Sequence, residues 1–308
     1  MYDTIHAYLH QSMVDSVDLI SEIPLVMENK TYSENKNGLY CSGNINNLRL
    51  SVSERGLSIK GSLSKYYFGS NTFTLSRSDS KKAIDQLSVL LNVSLGNAKI
   101  SRVDFGTNLI LAKPVSTYFQ YLGDCRFFER FMKADSLYYQ NGSRTIMFYD
   151  KIKELKNSRS PLPEDWKNQN VVRYEIRFSH RVAKQLKEQE LTISTLYRED
   201  FFKKMKERYL KDYYSIYKVS TSIPDCNMIE KPNDLFDQYA LNWINEKGVN
   251  IIFAEIECLN KSGAFSRKEY ASRAKRKVKE LQEKFTLVNS SALIEELSSK
   301  VLIGSSIL

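Results

Sequence analysis

The stretch that most limits what this chain can fold into runs from Val171 to Lys218. Its first part, Val171-Val172-Arg173-Tyr174-Glu175-Ile176-Arg177-Phe178, alternates polar and apolar residues. Successive side chains on a strand point to opposite faces. Val172, Tyr174, Ile176 and Phe178 therefore share an apolar face fit for a core, and Arg173, Glu175 and Arg177 share the other. A lone carboxylate between two arginines suits a metal held near a phosphate that the arginines attract. It also suits an ordinary amphipathic strand with a surface ion cluster. A tyrosine-rich helix is expected next, over about residues 191–218. At about 3.6 residues per turn, Phe202, Met205, Tyr209, Tyr213 and Ile216 form one stripe, with Tyr214 off it and Tyr217 at its margin.

Earlier in the chain, Asp3 to Leu9 is expected to be a strand with Ile5, Ala7 and Leu9 on one face and His6, Tyr8 and His10 on the other. Met27 to Gly38 looks like a polar loop. Leu39 to Phe68 looks like strands broken by turns, with Arg55-Gly56 a hairpin candidate. The segment from Lys60 to Asn71, which includes Lys65, is basic and aromatic between glycines; it suits a nucleic-acid backbone or an amphipathic strand with snorkelling lysines. Ser78 or Asp79 is expected to cap a helix running to Asn92, with Ile84, Leu87, Leu90 and Leu91 as its apolar stripe. Lys99 to Leu111 is a second strand with Arg102, Asp104 and Gly106 on one face and Val103 and Phe105 on the other, and Gly106 leaves room for a ligand beside Asp104. Pro114–Leu122 is a short helix, Asn141-Gly142-Ser143 turns a hairpin, and His180–Gln189 is helical.

Ser220 to Asp234, with Pro224 and Pro232, is the expected boundary, dividing the chain into residues 1–222 and 223–308. Beyond it a helix is expected near Asp234–Glu246, a strand near Val249–Glu257, and a basic helix from Ser266. In that last helix the cations Arg267, Lys268, Arg273, Lys275, Arg276, Lys277 and Lys279 outnumber Glu269 and Glu280 seven to two. They would either track phosphates or form a solvated face. The fold class is α+β: a mixed, mainly antiparallel sheet with helices packed on it, plus a smaller C-terminal α/β or helical domain.

The 308 residues carry 45 Lys plus Arg against 36 Asp plus Glu, a net charge of +9 that favours a polyanionic partner, nucleic acid before membrane. The four cysteines, Cys41, Cys125, Cys226 and Cys258, include no CxxC pair and are expected to be buried reduced thiols of a cytoplasmic protein. The N-terminus lacks a signal-peptide pattern, and no run approaches the ~18 apolar residues of a membrane span.

Chemistry is expected where the two acid strands meet. If they are neighbours, Asp104 and Glu175 enter one cleft, and their oxygens suit Mg²⁺ or Mn²⁺. A phenol attacking a phosphodiester would leave a covalent phosphotyrosine and a free 3′-hydroxyl, keeping the bond energy for rejoining. The region after Glu175 holds Tyr197, Tyr209, Tyr213, Tyr214 and Tyr217. An attacking tyrosine must face the sheet that holds the acids, although a stripe of this kind is more often core.

Arg102-Val103-Asp104, Phe148-Tyr149-Asp150-Lys151 and Arg173-Tyr174-Glu175-Ile176-Arg177, in that order, resemble rolling-circle replication initiators. The Lys60–Asn71 segment is similar to one near the start of filamentous-phage gene II and related phage and plasmid replication proteins. The Asp, Tyr-Asp-Lys and Arg-x-Glu pattern also resembles the Rep_trans initiators of small Gram-positive plasmids. The resemblance covers roughly residues 1–220 and implies metal-dependent nicking of a single-stranded or hairpin origin by a tyrosine, then strand displacement and rejoining. Carried over by position, Asp104 and Glu175 become metal ligands, Tyr213 the nucleophile with Tyr209 second, and Lys151 a phosphate contact. Lys65, Arg173, Arg177, Arg273, Lys275 and Arg276 would bind DNA, and the C-terminal part would add grip or contact a host replicative helicase. The chain departs from the wider histidine-containing nuclease group in lacking His-hydrophobe-His: the metal is held mostly by carboxylates, or His6 and His10 contribute. The competing readings are a non-catalytic origin-binding protein and a nuclease that activates water.

Overall fold

Apolar–polar alternation is clearest in the first sixty residues, and there it builds one half of a two-faced sheet. The computed structural model describes residues 1–14, 17–35, 38–219, 229–267, 269–285 and 292–306. Strand β1 (Tyr2–His10) leads to helix α1 (Leu19–Val26) and then to β2 (Glu28–Asn35), β3 (Gly38–Ile45), β4 (Leu48–Ser53) and β5 (Gly56–Ser62). Tight turns at Asn46-Asn47 and Glu54-Arg55 bring Ile45 opposite Leu48 and Ser53 opposite Gly56. That register buries Cys41, Leu50, Val52, Leu57 and Ile59 on one face. Ser42, Arg49, Ser51, Ser58 and Lys60 occupy the other, which remains open to solvent.

The middle of the chain completes the sheet. Helix α2 (Leu63–Phe68) begins where Ser62 accepts the Lys65 N–H, and ends at Gly69 with φ +75°. Helix α3 (Arg77–Leu91) follows, then β6 (Lys99–Leu111), α4 (Val115–Phe119), β7 (Leu122–Cys125), β8 (Glu129–Lys133), β9 (Ser136–Gln140), β10 (Arg144–Asp150), α5 (Lys151–Asn157) and β11 (Asn170–Phe178). Ten strands join in the order β2-β3-β4-β5-β1-β6-β11-β10-β9-β8, every neighbouring pair antiparallel. After α6 (Val182–Gln185) and α7 (Glu199–Tyr214), β12 (Ile216–Lys218) pairs with β7 as a separate ribbon. Helix α1 covers β3 and β4 and α7 covers β6, sealing one core on the apolar face.

Several expectations are corrected. The polar segment before Gly38 is β2, an edge strand hydrogen-bonded to β3 whose open side needs no apolar residue. Leu63–Phe68 is helix, because the Ser62 cap and Gly69 define a short turn of it. Helix α3 starts earlier than expected, where Ser76 and Asp79 form a capping box, and Leu90 lies off its buried stripe. Of His180–Gln189 only α6 is helical, and Tyr217 lies on β12 rather than on the tyrosine helix. Cys41 and Cys125 are buried free thiols, but Cys258 is exposed; Cys226 and Lys268 lie outside the described residues.

Beyond β12 the chain is helical: α8 (Pro232–Lys247), α9 (Val249–Lys261), α10 (Glu269–Phe285) and α11 (Ala292–Ser306). The expected Val249–Glu257 strand is α9: Ile252 and Ile256, four residues apart, are buried on one helical face. Helices α8 to α10 close a small core of their own around Leu241, Ile244, Ile252 and Val278. Of the expected boundary at Ser220–Asp234, residues 220–228 lie outside the described residues. Helix α11 joins the main core instead. Its Ile294, Leu297 and Val301 are buried there against β6 and α7, and Glu296 accepts the Ala112 N–H at 2.8 Å. Leu297→Ala should therefore destabilise the whole sheet by about 2–5 kcal/mol, whereas Leu302→Ala, half exposed on the same helix, should cost less than ~0.5 kcal/mol. Urea unfolding midpoints of the two variants check this.

Candidate active site

The pairing of β6 with β11 builds the site. Its register sets Asp104 opposite Arg177, Gly106 opposite Glu175 and Asn108 opposite Arg173. Directly opposed residues share a face, so both acids and both arginines project from the face opposite the α7 core, where Asp104, Glu175 and Arg173 are buried and Arg177 reaches solvent. Arg102 grips Asp104 with two donors, Nε to Oδ1 at 2.8 Å and Nη2 to Oδ2. Arg177 bridges the two acids, with Nε 3.1 Å from Asp104 Oδ2 and Nη2 3.7 Å from Glu175 Oε1. Arg173 donates to Glu175 Oε2 at 2.7 Å and to Asn108 Oδ1 at 3.2 Å. Gly106 does not make room for a ligand: a Cβ there would lie 2.5 Å from the Tyr174 carbonyl oxygen and 2.8 Å from Glu175 Cα. It is the close approach of β11 that requires glycine.

A third carboxylate joins them through a backbone irregularity. Between Tyr2↔Phe105 and Ile5↔Val103, β1 has one residue more than β6, so a bulge shifts the alternation. Simple parity would put Asp3 with Ile5 in the core; the bulge turns it to the open face. There Asp3 Oδ2 accepts from Arg173 at 2.7 Å and Oδ1 accepts from the Ser62 hydroxyl. Nearby, Lys151 is fully buried and donates to Asn71 Oδ1 at 2.9 Å and Glu154 Oε2 at 2.6 Å. Burial and the charge of Arg173 push its pKa down.

The balance of charge fixes the resting states. Burial pushes Glu175 up to about 7; Arg173 opposes that rise, while Asp104 and Asp3 reinforce it. Burial works against the Arg173 charge, but Asp3, Tyr149 and Glu175 more than offset it and hold the guanidinium well above its ordinary value. His6, opposite Arg102, is lowered by burial and by the Arg102 and Lys60 charges. His10 lies at the far end of β1, exposed and bonded to Ser12.

Carboxylate oxygens are the donors that Mg²⁺ and Mn²⁺ prefer. Asp3, Asp104 and Glu175 supply them on one face, with His6 at the margin. Among the described residues, no three His, Cys, Asp or Glu side chains form a ready ion cage, since each of these carboxylates is turned to an arginine. The donor chemistry fits such an ion provided that Arg102 and Arg177 give way. Their side chains are 22% and 34% exposed, which leaves them free to move.

The expected tyrosines are not at this site. Tyr209 and Tyr213 pack on the opposite, apolar face, with ring centroids 4.4 and 5.7 Å from Tyr174, which alternates with Glu175. Both are fully buried, and their hydroxyls meet Thr107 Oγ1 at 2.5 Å and Ser298 Oγ at 2.9 Å. The sheet separates them from the acids, because α7 must cover the apolar side. The phenol set beside Glu175 on the acid side belongs to Tyr149, which stands opposite Arg173 on β10 and diagonal to Glu175. Burial, then the charge of Glu175, push it well above the ordinary tyrosine range, with Arg173 pulling the other way. The alternation of Ile146 and Phe148 against Thr145, Met147 and Tyr149 carried that signal.

The expected DNA contacts divide similarly. Lys65 is exposed and Arg177 half-exposed, while Arg173 is interior within the acid cluster and Lys151 is interior between Asn71 and Glu154. Arg273, Lys275 and Arg276 lie on α10, away from the cluster, near Glu269, Glu257 and Glu280 respectively.

A pH-dependent stability follows from Glu175. Its ordinary value is 4.5 and its folded value about 7, so the folded chain holds this proton more tightly and stability falls as pH rises between them. Glu175→Gln, a mimic of the protonated acid, should raise Tm at about pH 8 and lose that advantage toward about pH 4.5. Melting curves across this range check it; an unchanged or lower Tm at the alkaline end would show that the arginines fully satisfy the ionised acid.

The Phage_CRI family, described as the N-terminal part of a replication-associated protein, matches residues 1–204. No curated protein matches the chain. Among solved structures, a rolling-circle replication initiator protein from Geobacillus stearothermophilus aligns over 78% of this chain and 96% of its own, at 11% identity and a TM-score of 0.41. The matched family region contains every residue of the acid cluster and ends before Tyr209 and Tyr213, and the chain belongs to the Phage_CRI family of replication-associated proteins.

Proposed function

We propose that this chain starts rolling-circle replication of a plasmid or phage by nicking one strand of the origin through a covalent phosphotyrosine and later rejoining it. The observation that carries this reading is the meeting of Asp3, Asp104 and Glu175 with Arg102, Arg173 and Arg177 on the sheet face opposite the α7 core, beside the Tyr149 phenol, with Arg102 and Arg177 reaching solvent. The arginines draw in a phosphodiester. Tyr149, protonated at rest, gives its proton to Glu175, whose value near 7 suits a base at neutral pH. The phenolic oxygen bonds to phosphorus, the P–O3′ bond breaks, and the departing 3′ oxygen takes a proton from solvent. Arg102 and Arg177 face the charge that gathers on the phosphoryl oxygens. Mg²⁺ or Mn²⁺ would be held by Asp104 with Asp3, leaving Glu175 free as the base, and would add Lewis-acid polarisation of the phosphoryl oxygen.

The unit that performs this chemistry comprises residues 1–222 completed by α11. Helices α8 to α10 form an accessory unit, where Arg273, Lys275 and Arg276 grip flanking DNA and a host helicase would dock. No helix of the described residues is long and apolar enough to cross a membrane; the proposed place of action is origin DNA in the cytoplasm. The near-neutral value of Glu175 also favours a second reading, in which this acid activates water and no covalent bond forms.

A denaturing gel of protein, Mn²⁺ and a single-stranded origin oligonucleotide separates the readings. The expected outcome is a slower, protease-sensitive covalent band. It should vanish in Tyr149→Phe, and a Tyr213→Phe variant with native stability should keep it. Cleavage without the band favours water attack, and neither cleavage nor band favours a non-catalytic origin-binding protein. Asp104→Asn and Glu175→Gln should each reduce nicking by about a hundredfold or more.

A further inference from the structure

The open face carries a second concave feature that the acid cluster does not use. Tyr8 follows His6 by two residues on β1 and shares its face. The register continues its row through Ser58, Ser51 and Ser42. The next row is His10, Gly56, Ser53 and Tyr40. Tyr8 and Tyr40 thereby flank a floor of Ser51, Ser53, Gly56 and Ser58, and together they line a cleft of about 320 Å³.

The Tyr8 ring is seated yet left uncovered. Its hydroxyl donates to the Arg55 carbonyl oxygen at 2.9 Å. Gly56 sits at φ +151°, and a Cβ there would lie 2.2 Å from the Leu9 carbonyl oxygen and 2.8 Å from the Tyr8 hydroxyl, so only glycine admits this arrangement. The ring remains 38% exposed. Between the cleft and the acids runs the row Arg49, Lys60, His6 and Arg102, of which Arg49 and Lys60 are exposed.

We infer that the Tyr8–Tyr40 cleft is a base subsite for single-stranded DNA, in which one unpaired base stacks on a tyrosine ring while neighbouring phosphates lie on Arg49, Lys60 and Arg102. Each part of the geometry fits that polymer. Aromatic rings beside a basic track are the general means of holding single strands with little sequence preference. Serine hydroxyls both donate and accept, so the floor can meet the edge of any base. A duplex hides its bases in the stack and would present no free ring to the cleft. From Tyr8 to Thr4, beside Asp104, is four residues, or about 13 Å along the strand, a span that a few extended nucleotides cover. The base held here would thus lie a short way along the strand from the phosphate at Asp104 and Glu175.

This inference rests on the nuclease reading for the identity of the polymer, but its test needs no cutting. A single-stranded oligonucleotide with 5-iododeoxyuridine at one position is mixed with full-length Glu175→Gln protein without divalent metal, irradiated, and the crosslinked peptide mapped. The expected crosslink falls on Tyr8 or Tyr40. Tyr8→Ala and Tyr40→Ala, each checked for an unchanged melting curve, should weaken single-strand binding by about tenfold and leave binding of the matching duplex unaltered; Tyr8→Trp should restore it. Crosslinks only elsewhere, for example on the exposed Phe236, Tyr239 or Trp243 of α8, with undiminished binding by both alanine variants, would overturn the subsite. A crosslink at Tyr8 alongside no covalent nicking by the wild-type chain would sink the nuclease reading and leave the base subsite standing.

Discussion

The register of β6 against β11 is the constraint on which the rest depends. Pairing Asp104 with Arg177 and Gly106 with Glu175 places the ionised groups on one face, and with the same step places Val103, Phe105, Tyr174 and Ile176 on the other. A one-residue slip would exchange the faces of one strand, burying its charges under α7 and exposing its aromatic side chains. Gly106 guards against that slip from the backbone side, since a Cβ would fit neither the Tyr174 carbonyl nor Glu175. Tyr174 guards it from the core side: its hydroxyl donates to the Tyr209 carbonyl oxygen at 2.9 Å and its ring lies against Phe148 at 4.7 Å. The tyrosines of α7 are thus part of the device that aligns the acids.

Much of this was legible in the sequence, for identifiable reasons. Alternation in residues 99–111 and 171–178 marked both strands and separated Arg102, Asp104, Arg173, Glu175 and Arg177 from Val103, Phe105, Tyr174 and Ile176, because the two faces differ in polarity although both are largely buried. Lys99 escapes that reading, since a register shift before it sets it opposite Tyr8. The same alternation already argued against Tyr209 and Tyr213 as nucleophiles. A helix stripe seeks the apolar face, and the apolar face is the one that Glu175 does not share. Tyr149 was readable by parity in β10, once β10 is known to lie beside β11, but adjacency of strands is not written in either segment. Asp3 was hidden by the β1 bulge, which no local signal announces. Val249 to Glu257 misled through its β-branched residues; Ile252 and Ile256 decide it as helix only when there are α8 and α10 to pack against.

Helix α11 links the chain's end to its working strand. It packs on the C-terminal part of β6, and Gly304 lets it approach so closely that a Cβ there would lie 3.0 Å from Leu109 Cδ2 and 3.3 Å from Thr107 Oγ1. Thr107 is the residue that receives Tyr209. The apolar layer is therefore closed by residues far apart in sequence: α7 lies behind Phe105 and α11 behind Thr107 and Leu109. α8 to α10 sit between these bracing segments in sequence and attach through Asp124, whose carboxylate accepts the Val249 N–H, through Asn250, which donates to the Phe128 carbonyl oxygen at 3.4 Å, and through Tyr217, which packs on their core.

The buried ions explain why the cluster is poised rather than inert. Removing a carboxylate and a guanidinium from water costs several kcal/mol for each ion, and their attraction only offsets this when every donor and acceptor is matched. Arg173 meets that condition: it is 2% exposed and shared among Asp3, Glu175 and Asn108, so it is a fixed part of the fold. Arg102 and Arg177 do not, since their partly exposed heads balance carboxylates that are almost wholly buried. In the proposed reaction a phosphodiester would offer these two guanidinia a better-placed anion. Were they to turn to it, Asp104 and Glu175 would lose positive neighbours in a site already short of water, and their affinity for a proton or a divalent cation would rise. Substrate arrival would in that reaction be coupled to the state of the acids through the two partly exposed arginines rather than the buried one.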